Sequence, residues 1–470
     1  MTRLLLERSA RTSLAGFTLC TFPNYIREPA HDLICDHLDR VMAGEIKRLM
    51  IFAPPQHGKS ELVSVRFPAY WLGRRPDDPI ILTSYAAALA TRKSQEARQV
   101  VESPVFRHLF GWETQHTSRA REYWRLQPPH RGRMIAAGVE GGITGEGALL
   151  GIIDDPHEGW LQAQSDAARH TVWAWYTGTF RPRIWEGGAI VIIMTRWHQG
   201  DLCGQLLADG QREWTVLRLP AVGEDQFERN KRNATVGLAA GLPDPLGRKP
   251  GEALCPRRYS VEALADLRRG VGSMPWEAEY MASPVSPQGT IIKTEWWKYY
   301  DEPPQRFDEC LQSWDMAFKE TADSSYVVGQ VWGRLGADKY LLDQYRAQTD
   351  FPGTLLAFRQ LTFKHKKAAA KLVEDAANGP AVIQSLQREI PGIIAVRPEG
   401  GKVARAVAAC AQIESGNVFI PRRAFWTDAF VAECADFPTG VHDDQVDAMS
   451  QALVRFGAHP PVEAGVLSLR

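Results

Sequence analysis

From Ile46 to about Leu219 the sequence alternates short apolar runs with longer stretches of helical period. Leu49–Ala53, Ile80–Tyr85, Leu149–Ile153 and Ala189–Thr195 read as strands, β-branched or bounded by turn residues. Ser60–Leu72 lies between the first two, and Ala86–Val101 follows the second, rich in Ala, Gln, Arg and Glu; both repeat with the period of a helix. The order βαβα predicts a mostly parallel sheet with crossover helices. Functional loops then gather at the carboxyl ends of the strands.

The character changes between Gly223 and Tyr259, where Gly, Pro, Asn and Arg dominate and sustained periodicity is lost, as in a linker or small subdomain. Ser260–Arg269 reads as a short helix with Ser260 as its N-cap. A second alternating unit starts near Gln312. Cys310–Trp314, Ser325–Trp332 and Lys339–Tyr345 read as three strands, with turns at Thr321–Asp323 and Gly336–Asp338. Phe351–Lys367 is a predicted helix, Lys371–Glu374 a strand, Gly379–Glu389 a helix, Gly392–Val396 a strand and Asp443–Phe456 a closing helix. Three meander strands followed by αβαβα is the element order of an RNase H-like fold. The predicted division is residues 1–222, a linker or lid over 223–290, a second domain over 291–456, and a tail over 457–470.

Length and composition support that division. A chain of 470 residues is too long for one ordinary core. With 23% charged and 10% aromatic residues it has the makeup of a globular protein, which excludes wholesale disorder. The 55 basic and 55 acidic side chains cancel, so a polyanion would have to be met by local clusters of Lys and Arg. The longest apolar stretch, around Ala189–Met194, is a strand's worth and far short of a membrane span. The N-terminus has no signal-peptide pattern, and seven singly scattered cysteines give neither a CxxC pair nor a disulfide framework. A reduced, soluble, intracellular protein is the expectation.

Ala53–Ser60 reads APPQHGKS, directly after a strand and before a helix. The general phosphate loop is G-x-x-x-x-G-K-[ST], in which backbone N–H groups cradle phosphate, Lys neutralises charge and the hydroxyl reaches Mg²⁺. Gly58, Lys59 and Ser60 fit, and the helix N-terminus adds its positive dipole. Ala53 replaces the first Gly, and two prolines remove N–H groups. The ATP cradle therefore rests on Gln56, His57, Gly58, Lys59, Ser60 and Glu61. The alternative is an incidental GKS on a turn. A partner acid should end another strand, and LLGIIDD supplies Asp154, a candidate for Mg²⁺, and Asp155, a candidate for polarising the attacking water. Two acids before Pro156 also suit the start of a turn. Thr195, after the next strand, is placed to sense the γ-phosphate, or simply to cap a strand exit.

A second set of acids lies further on. Asp315 follows an apolar strand, Glu374 and Asp375 end another, and Asp443, Asp444 and Asp447 open the last helix, the last two one turn apart. Carboxylates from two strand ends and a helix start suit a two-metal phosphodiesterase site holding Mg²⁺ or Mn²⁺, because such clustering is costly unless cations occupy it. Taken singly, each also reads as a strand-end acid or an acid-rich first helical turn. Basic residues offer a DNA path. Arg119, Arg121, Arg125, Arg131 and Arg133 crowd one segment, and Lys364, Lys366, Lys367 and Lys371 another; solvated helix faces are the alternative for each.

These residues resemble the large subunit of the terminase of tailed bacteriophages. The resemblance runs through PPQHGKSELVSVRFPAYWLG (54–73), GGITGEGALLGIIDDPHE (141–158), TRWHQGDL (195–202), SWDMAFK (313–319), VEDAANGPAVI (373–383) and HDDQVDAMSQAL (442–453), in the family's order. It implies an N-terminal RecA-like P-loop ATPase of the additional-strand type and a C-terminal RNase H-like endonuclease. It implies further that several subunits ring double-stranded DNA at the portal protein, with a small terminase subunit as partner and no membrane. The setting would be the host cytoplasm, transiently on the procapsid. By the same resemblance Lys59 and Ser60 would bind ATP and Mg²⁺, with Asp154 and Asp155 as the second nucleotide motif and Thr195 as coupling residue. Asp315, Asp375 or Glu374, and Asp443 would be metal ligands, supported by Asp444 and Asp447. Three positions depart from the pattern: Gln56 and Glu146 stand where many relatives carry Arg, and Asp155 where Glu is commoner. If the Arg missing at position 146 is one that acts in trans, Arg131 or Arg133 would have to supply it.

Two other functions fit parts of this pattern. A helicase–nuclease of DNA repair would need helicase motifs, which the sequence lacks. A catalytically decayed assembly protein would account for Ala53, Gln56 and Glu146, but not for an intact Lys59–Ser60 and a full acid set.

Overall fold

The computed structural model describes all residues except 1–2, 116–120, 210–213, 285–290, 317–325, 377, 399–400 and 459–470. Arg119, the predicted turn Thr321–Asp323 and most of the predicted tail lie outside the described residues; Gly457 and Ala458 belong to the last helix. The Cα framework divides into two compact units, Met1–Arg268 with Met274–Ser286, and Arg269–Ser273 with Pro287–Arg470. No helix among the described residues is long and apolar enough to cross a membrane.

The first unit is built on strands β1 (Arg48–Phe52), β2 (Pro79–Ser84), β3 (Tyr123–Arg125), β4 (Arg133–Gly138), β5 (Ala148–Asp154), β6 (Ile184–Met194) and β7 (Thr215–Arg218), in the order β3-β4-β2-β5-β6-β1-β7. All neighbours are parallel except β3 and β4. Apolar runs form here, rather than alternating patterns, because both sheet faces are covered. Leu49 and Ile51 enter the core under Leu14–Thr21 and Pro29–Ala43, while Met50 and Phe52 face the other way, with Val172 and Leu202. The predicted helix Ser60–Leu72 has a wide first turn, Glu61–Arg66, before Phe67–Arg74; the Phe67 N–H donates five residues back to Leu62. Pro68 has no N–H to offer the regular ladder at that point.

The stretch from 223 is not an open linker. Buried Arg218 donates to both oxygens of Glu224 (2.8 and 2.5 Å), Arg229 pairs with Asp244 (3.1 Å), and Arg232 grips Glu277 (2.7 and 3.0 Å). Ion pairs rather than an apolar stripe organise it, so periodicity could not find it, and its residues up to Arg268 belong to the first unit. A second buried pair, Arg196 with Asp201 (2.8 Å, both side chains 0% exposed), ties the exit of β6 to the start of helix Leu202–Ala208. Removing one member of such a pair costs about 3–5 kcal/mol, since the other is left charged and buried.

The second unit holds β8 (Lys298–Tyr300), β9 (Glu309–Met316), β10 (Val327–Leu335), β11 (Asp338–Ala347), β12 (Ala370–Glu374), β13 (Ile393–Val396) and β14 (Val418–Pro421), ordered β13-β12-β9-β10-β11-β14-β8. Strands β9, β10 and β11 form the antiparallel meander, and β12 and β13 extend it in parallel. Helices Phe351–Lys364, Gly379–Leu386, Lys402–Glu414, Thr427–Asp436 and Asp444–Ala458 complete the unit. The third of these, with β14 and Thr427–Asp436 after it, is absent from the element order read off the sequence.

Candidate active sites

Strands β1, β5 and β6 end at one edge of the first sheet, with β6 between the other two. Their carboxyl-end residues therefore meet. After β1 the loop turns through Gln56 at φ 61° and Gly58 at φ 83°. At Gly58 a Cβ would stand 3.0 Å from the His31 ring, so both the backbone sign and the space call for glycine. The loop is braced from outside. His31 accepts the Glu28 N–H at Nδ1, which leaves Nε2–H to donate to the His57 carbonyl (3.0 Å), and Arg258 donates to the Gln56 carbonyl (2.7 Å).

Lys59 points to the sheet. Its ammonium donates to Thr195 Oγ1 at 2.7 Å and lies 3.6 Å from Asp155 Oδ2. Ser60 and Ser64, one turn apart, donate to the two oxygens of Asp154 (3.1 and 2.7 Å). Burial, and then the adjacent Asp155, push the Asp154 carboxyl above its ordinary range. The Thr195 N–H donates to Asp155 Oδ1 at 2.7 Å, so this threonine joins the lysine to the second acid. Lys59, Ser60, Asp154, Asp155 and Thr195 thus form one cluster.

His57 and Glu61 do not turn their side chains to it. The His57 ring is buried, stacks on Tyr259 at 5.0 Å and donates from Nδ1 to the Pro55 carbonyl. Burial, with Lys59 nearby, lowers its pKa to about 4, so it brings no charge to a phosphate. The Glu61 carboxylate is paired with Arg66 at 2.7 Å. Ser64 and Arg258 carry no signal in the sequence, and only the fold brings them to the loop.

In the second unit Asp315 near the end of β9, Glu374 at the end of β12, and Asp444 and Asp447 on the last helix converge. Burial pushes Asp315 well above the usual carboxylate range, and Asp447, Asp444 and Glu374 push it further, against the attraction of Lys402. Glu374 is raised by burial and by Asp447, although Arg405 opposes this. The N–H of Tyr326 donates to Asp444 at 3.2 Å. Lys402 bridges Asp443 (2.7 Å) and Asp447 (2.9 Å), and Arg405 pairs with Asp447 (2.9 Å) and approaches Glu374 (3.9 Å). Among the described residues no three acids, histidines or cysteines stand ready-made around one metal position; these two cations neutralise the cluster instead.

Two acids named from the sequence are held differently from their neighbours. Strand register pairs Val373 with Trp314, so Glu374 continues alongside Asp315, while Asp375 points to the opposite face. Its partner there is Arg397 at 3.6 Å. Asp443 shares Lys402 with Asp447 and is partly exposed, whereas Asp444, one residue on, is buried. Glu374→Gln is expected to reduce divalent-dependent plasmid cleavage by about 100-fold or more, whereas Asp375→Asn should keep it within about threefold. Equal losses in a gel-based cleavage assay would reject the assignment.

The basic residues are not at these mouths. Lys364, Lys366 and Lys367 precede β12, at the end of the sheet where Ala369 bonds to Cys310. From there to Asp315 is roughly 16 Å at about 3.3 Å per residue, and Lys364 is already paired with Asp343 at 2.7 Å. Arg133 starts β4, away from the phosphate-loop edge, and its guanidinium pairs with Glu146 at 3.4 Å; the Arg131 N–H donates to Asp77. A DNA path built on these five residues would not lead directly to either acid cluster.

Residues 50–299 match the family model for the N-terminal part of the terminase large subunit, T4likevirus-type, and residues 312–456 match the terminase RNaseH-like domain. The fold is similar to that of the large terminase from a thermophilic bacteriophage, with a TM-score of 0.55 at 9% identity over 96% of this chain and 98% of that one. The complex of that same phage terminase with ADP superposes with a TM-score of 0.50 at 9% identity, over 93% and 97% of the two chains. The chain matches no curated protein sequence.

Proposed function

The chain belongs to the terminase large-subunit family, and from that premise we propose how its two clusters divide the work of a DNA-packaging ATPase and nuclease. The first binds and hydrolyses ATP. Backbone N–H groups from Gln56 onward and Lys59 hold the phosphates, and Thr195, bonded to Lys59, registers the loss of the γ-phosphate. Ser60 and Asp154 would hold Mg²⁺, which supplies charge neutralisation when bound; a hydroxyl and a raised carboxyl 3.1 Å apart are the hard oxygen donors it takes.

The second cluster cuts DNA. Asp315, Glu374, Asp444 and Asp447 would hold Mg²⁺ or Mn²⁺, two ions in the reading we favour. Bound ions supply an activated water and a stabilised leaving oxygen. Four crowded carboxylates, faced among the described residues by Lys402 and Arg405, fit that demand, because burial and the neighbouring acids hold the Asp315 carboxyl well above its ordinary range. The subunit works on double-stranded DNA in a ring on the portal protein, with the small terminase subunit, in the host cytoplasm. The single observation that carries this reading is the Lys59–Thr195–Asp155 and Ser60–Asp154 linkage at the end of three parallel strands.

The test uses the purified full-length chain with plasmid DNA. ATP turnover and plasmid cleavage are both expected to stop on chelation with EDTA and to return with excess Mg²⁺ or Mn²⁺. Turnover or cleavage that continues without a divalent ion would contradict it.

A further inference from the structure

Helix Phe351–Lys364 covers only part of one face of the second sheet. It stacks Phe358 on Trp314 of β9 at 4.7 Å and buries Ala357 and Leu361 in the cluster that holds Val331 of β10. There it stops, and His365 leaves the helical conformation. Next to its last turn lies a cavity of about 700 Å³, lined by Cys310 of β9, Val331 of β10, Leu342 of β11, and by Phe307 and Phe363. That volume is in the range of about 300–1,000 Å³ that ligand pockets occupy.

Two backbone features set this lining. Asp343 pairs with Val331 and Leu341 with Trp332, so Leu342 is the extra residue of a bulge in β11. Gly333 has no side chain, and a Cβ there would stand 2.7 Å from the Phe307 ring, so Phe307 lies directly against the backbone of β10.

The rim is basic. Lys364, Lys366 and Lys367 are exposed there, and the acids beside the lining residues are engaged. Asp343 pairs with Lys364 (2.7 Å) and His365 (2.6 Å), Glu309 with Arg334 (2.8 Å), and Asp308 accepts the Gly336 N–H (2.7 Å). Among the described residues neither Lys366 nor Lys367 has an ion pair. The Lys366 ammonium lies over the Phe363 ring instead, 4.6 Å from its centre, and that ring is 73% exposed. An apolar hollow with two unanswered ammonium groups at its mouth matches an apolar side chain flanked by carboxylates. A single nucleic-acid strand would use the same charges, but it would need Phe363 as a stacking platform, and Lys366 already sits over that ring.

We propose that this cavity is a docking site for a short acidic segment of a partner protein. An aromatic or aliphatic side chain of that segment enters the hollow lined by Phe307 and Phe363, and its carboxylates meet Lys366 and Lys367. The hollow is at the other end of β9 from Asp315, so an occupant leaves the acid cluster clear.

The full-length chain would be titrated with short fluorescent peptides of Asp, Glu, Phe, Leu and Trp, with the same peptides carrying Lys for each acid, and with a single-stranded oligonucleotide. Alkylation of Cys310, read by mass spectrometry, reports occupancy; Cys20 is the one other cysteine that is not buried and serves as control. The acidic peptides are expected to bind saturably and to slow alkylation of Cys310 but not of Cys20. Lys366→Glu combined with Lys367→Glu should weaken them about tenfold or more, since like charges then face each other, and Phe363→Ala about three- to tenfold. Both variants change exposed side chains, and a thermal melt checks that they fold. The lysine peptides should not protect Cys310. Absence of saturable binding by every acidic peptide, or binding that neither variant weakens, would overturn the proposal. So would protection of Cys310 by the oligonucleotide alone, which marks a nucleic-acid contact, or by a higher concentration of the protein itself, which marks an interface between copies.

Discussion

Lys59→Ala is expected to reduce ATP turnover by about 10²–10³-fold or more, the scale on which a single group stabilising transferred charge acts in a water-poor site. The Lys59 side chain is only 7% exposed, and no other cation is hydrogen-bonded to Thr195 or within 4 Å of Asp155 among the described residues. Its removal takes away the ammonium that offsets the repulsion between Asp154 and the adjacent Asp155. Two consequences follow from that geometry. ATP affinity should fall together with kcat, because Lys59 meets phosphate in the ground state as well as in the transition state. The variant should also lose some stability in the absence of nucleotide, which a thermal melt would read. Unaltered turnover in a coupled-enzyme assay would place the nucleotide elsewhere.

Asp315→Asn should have the opposite balance of stability and activity. It is close to isosteric and removes a charge that Asp447, Asp444 and Glu374 oppose. The variant is therefore expected to fold at least as stably as wild type in a divalent-free buffer. Cleavage should nonetheless drop by about 10²–10³-fold, since a metal-held charge in such a site is worth several kcal/mol and each 1.36 kcal/mol is about tenfold in rate. A variant that melts early would show that Asp315 is a structural acid. One that cleaves normally would show that it is no ligand.

What the sequence disclosed, and what it did not, follows from how each part is held. The phosphate loop and the strands β1, β2, β5 and β6 were legible because apolar runs buried on both faces leave a continuous signature, and GKS follows one of them. The residues around that loop were not. Arg258 is about 200 residues further along, and the ion-pair network of Arg218, Arg232, Glu224 and Glu277 that organises its part of the chain carries no periodicity. In the second unit the acids were visible as strand and helix ends, but which of each adjacent pair mattered was not. Strand alternation sets Glu374 beside Asp315 and Asp375 beside Arg397, and burial separates Asp444 from the more exposed Asp443; neither could be read without the fold. Lys402 and Arg405 themselves sit on an alanine-rich helix, Lys402–Glu414, missing from the predicted order.

The claim on which the rest depends is that one chain carries two chemically independent centres, and it is tested by measuring both activities on the same preparations of wild type, Lys59→Ala and Asp315→Asn. Lys59→Ala should cleave plasmid at the wild-type rate in Mn²⁺, and Asp315→Asn should hydrolyse ATP at the wild-type rate. Loss of both activities in either variant, with its circular dichroism spectrum showing it folded at the assay temperature, would contradict two separate centres.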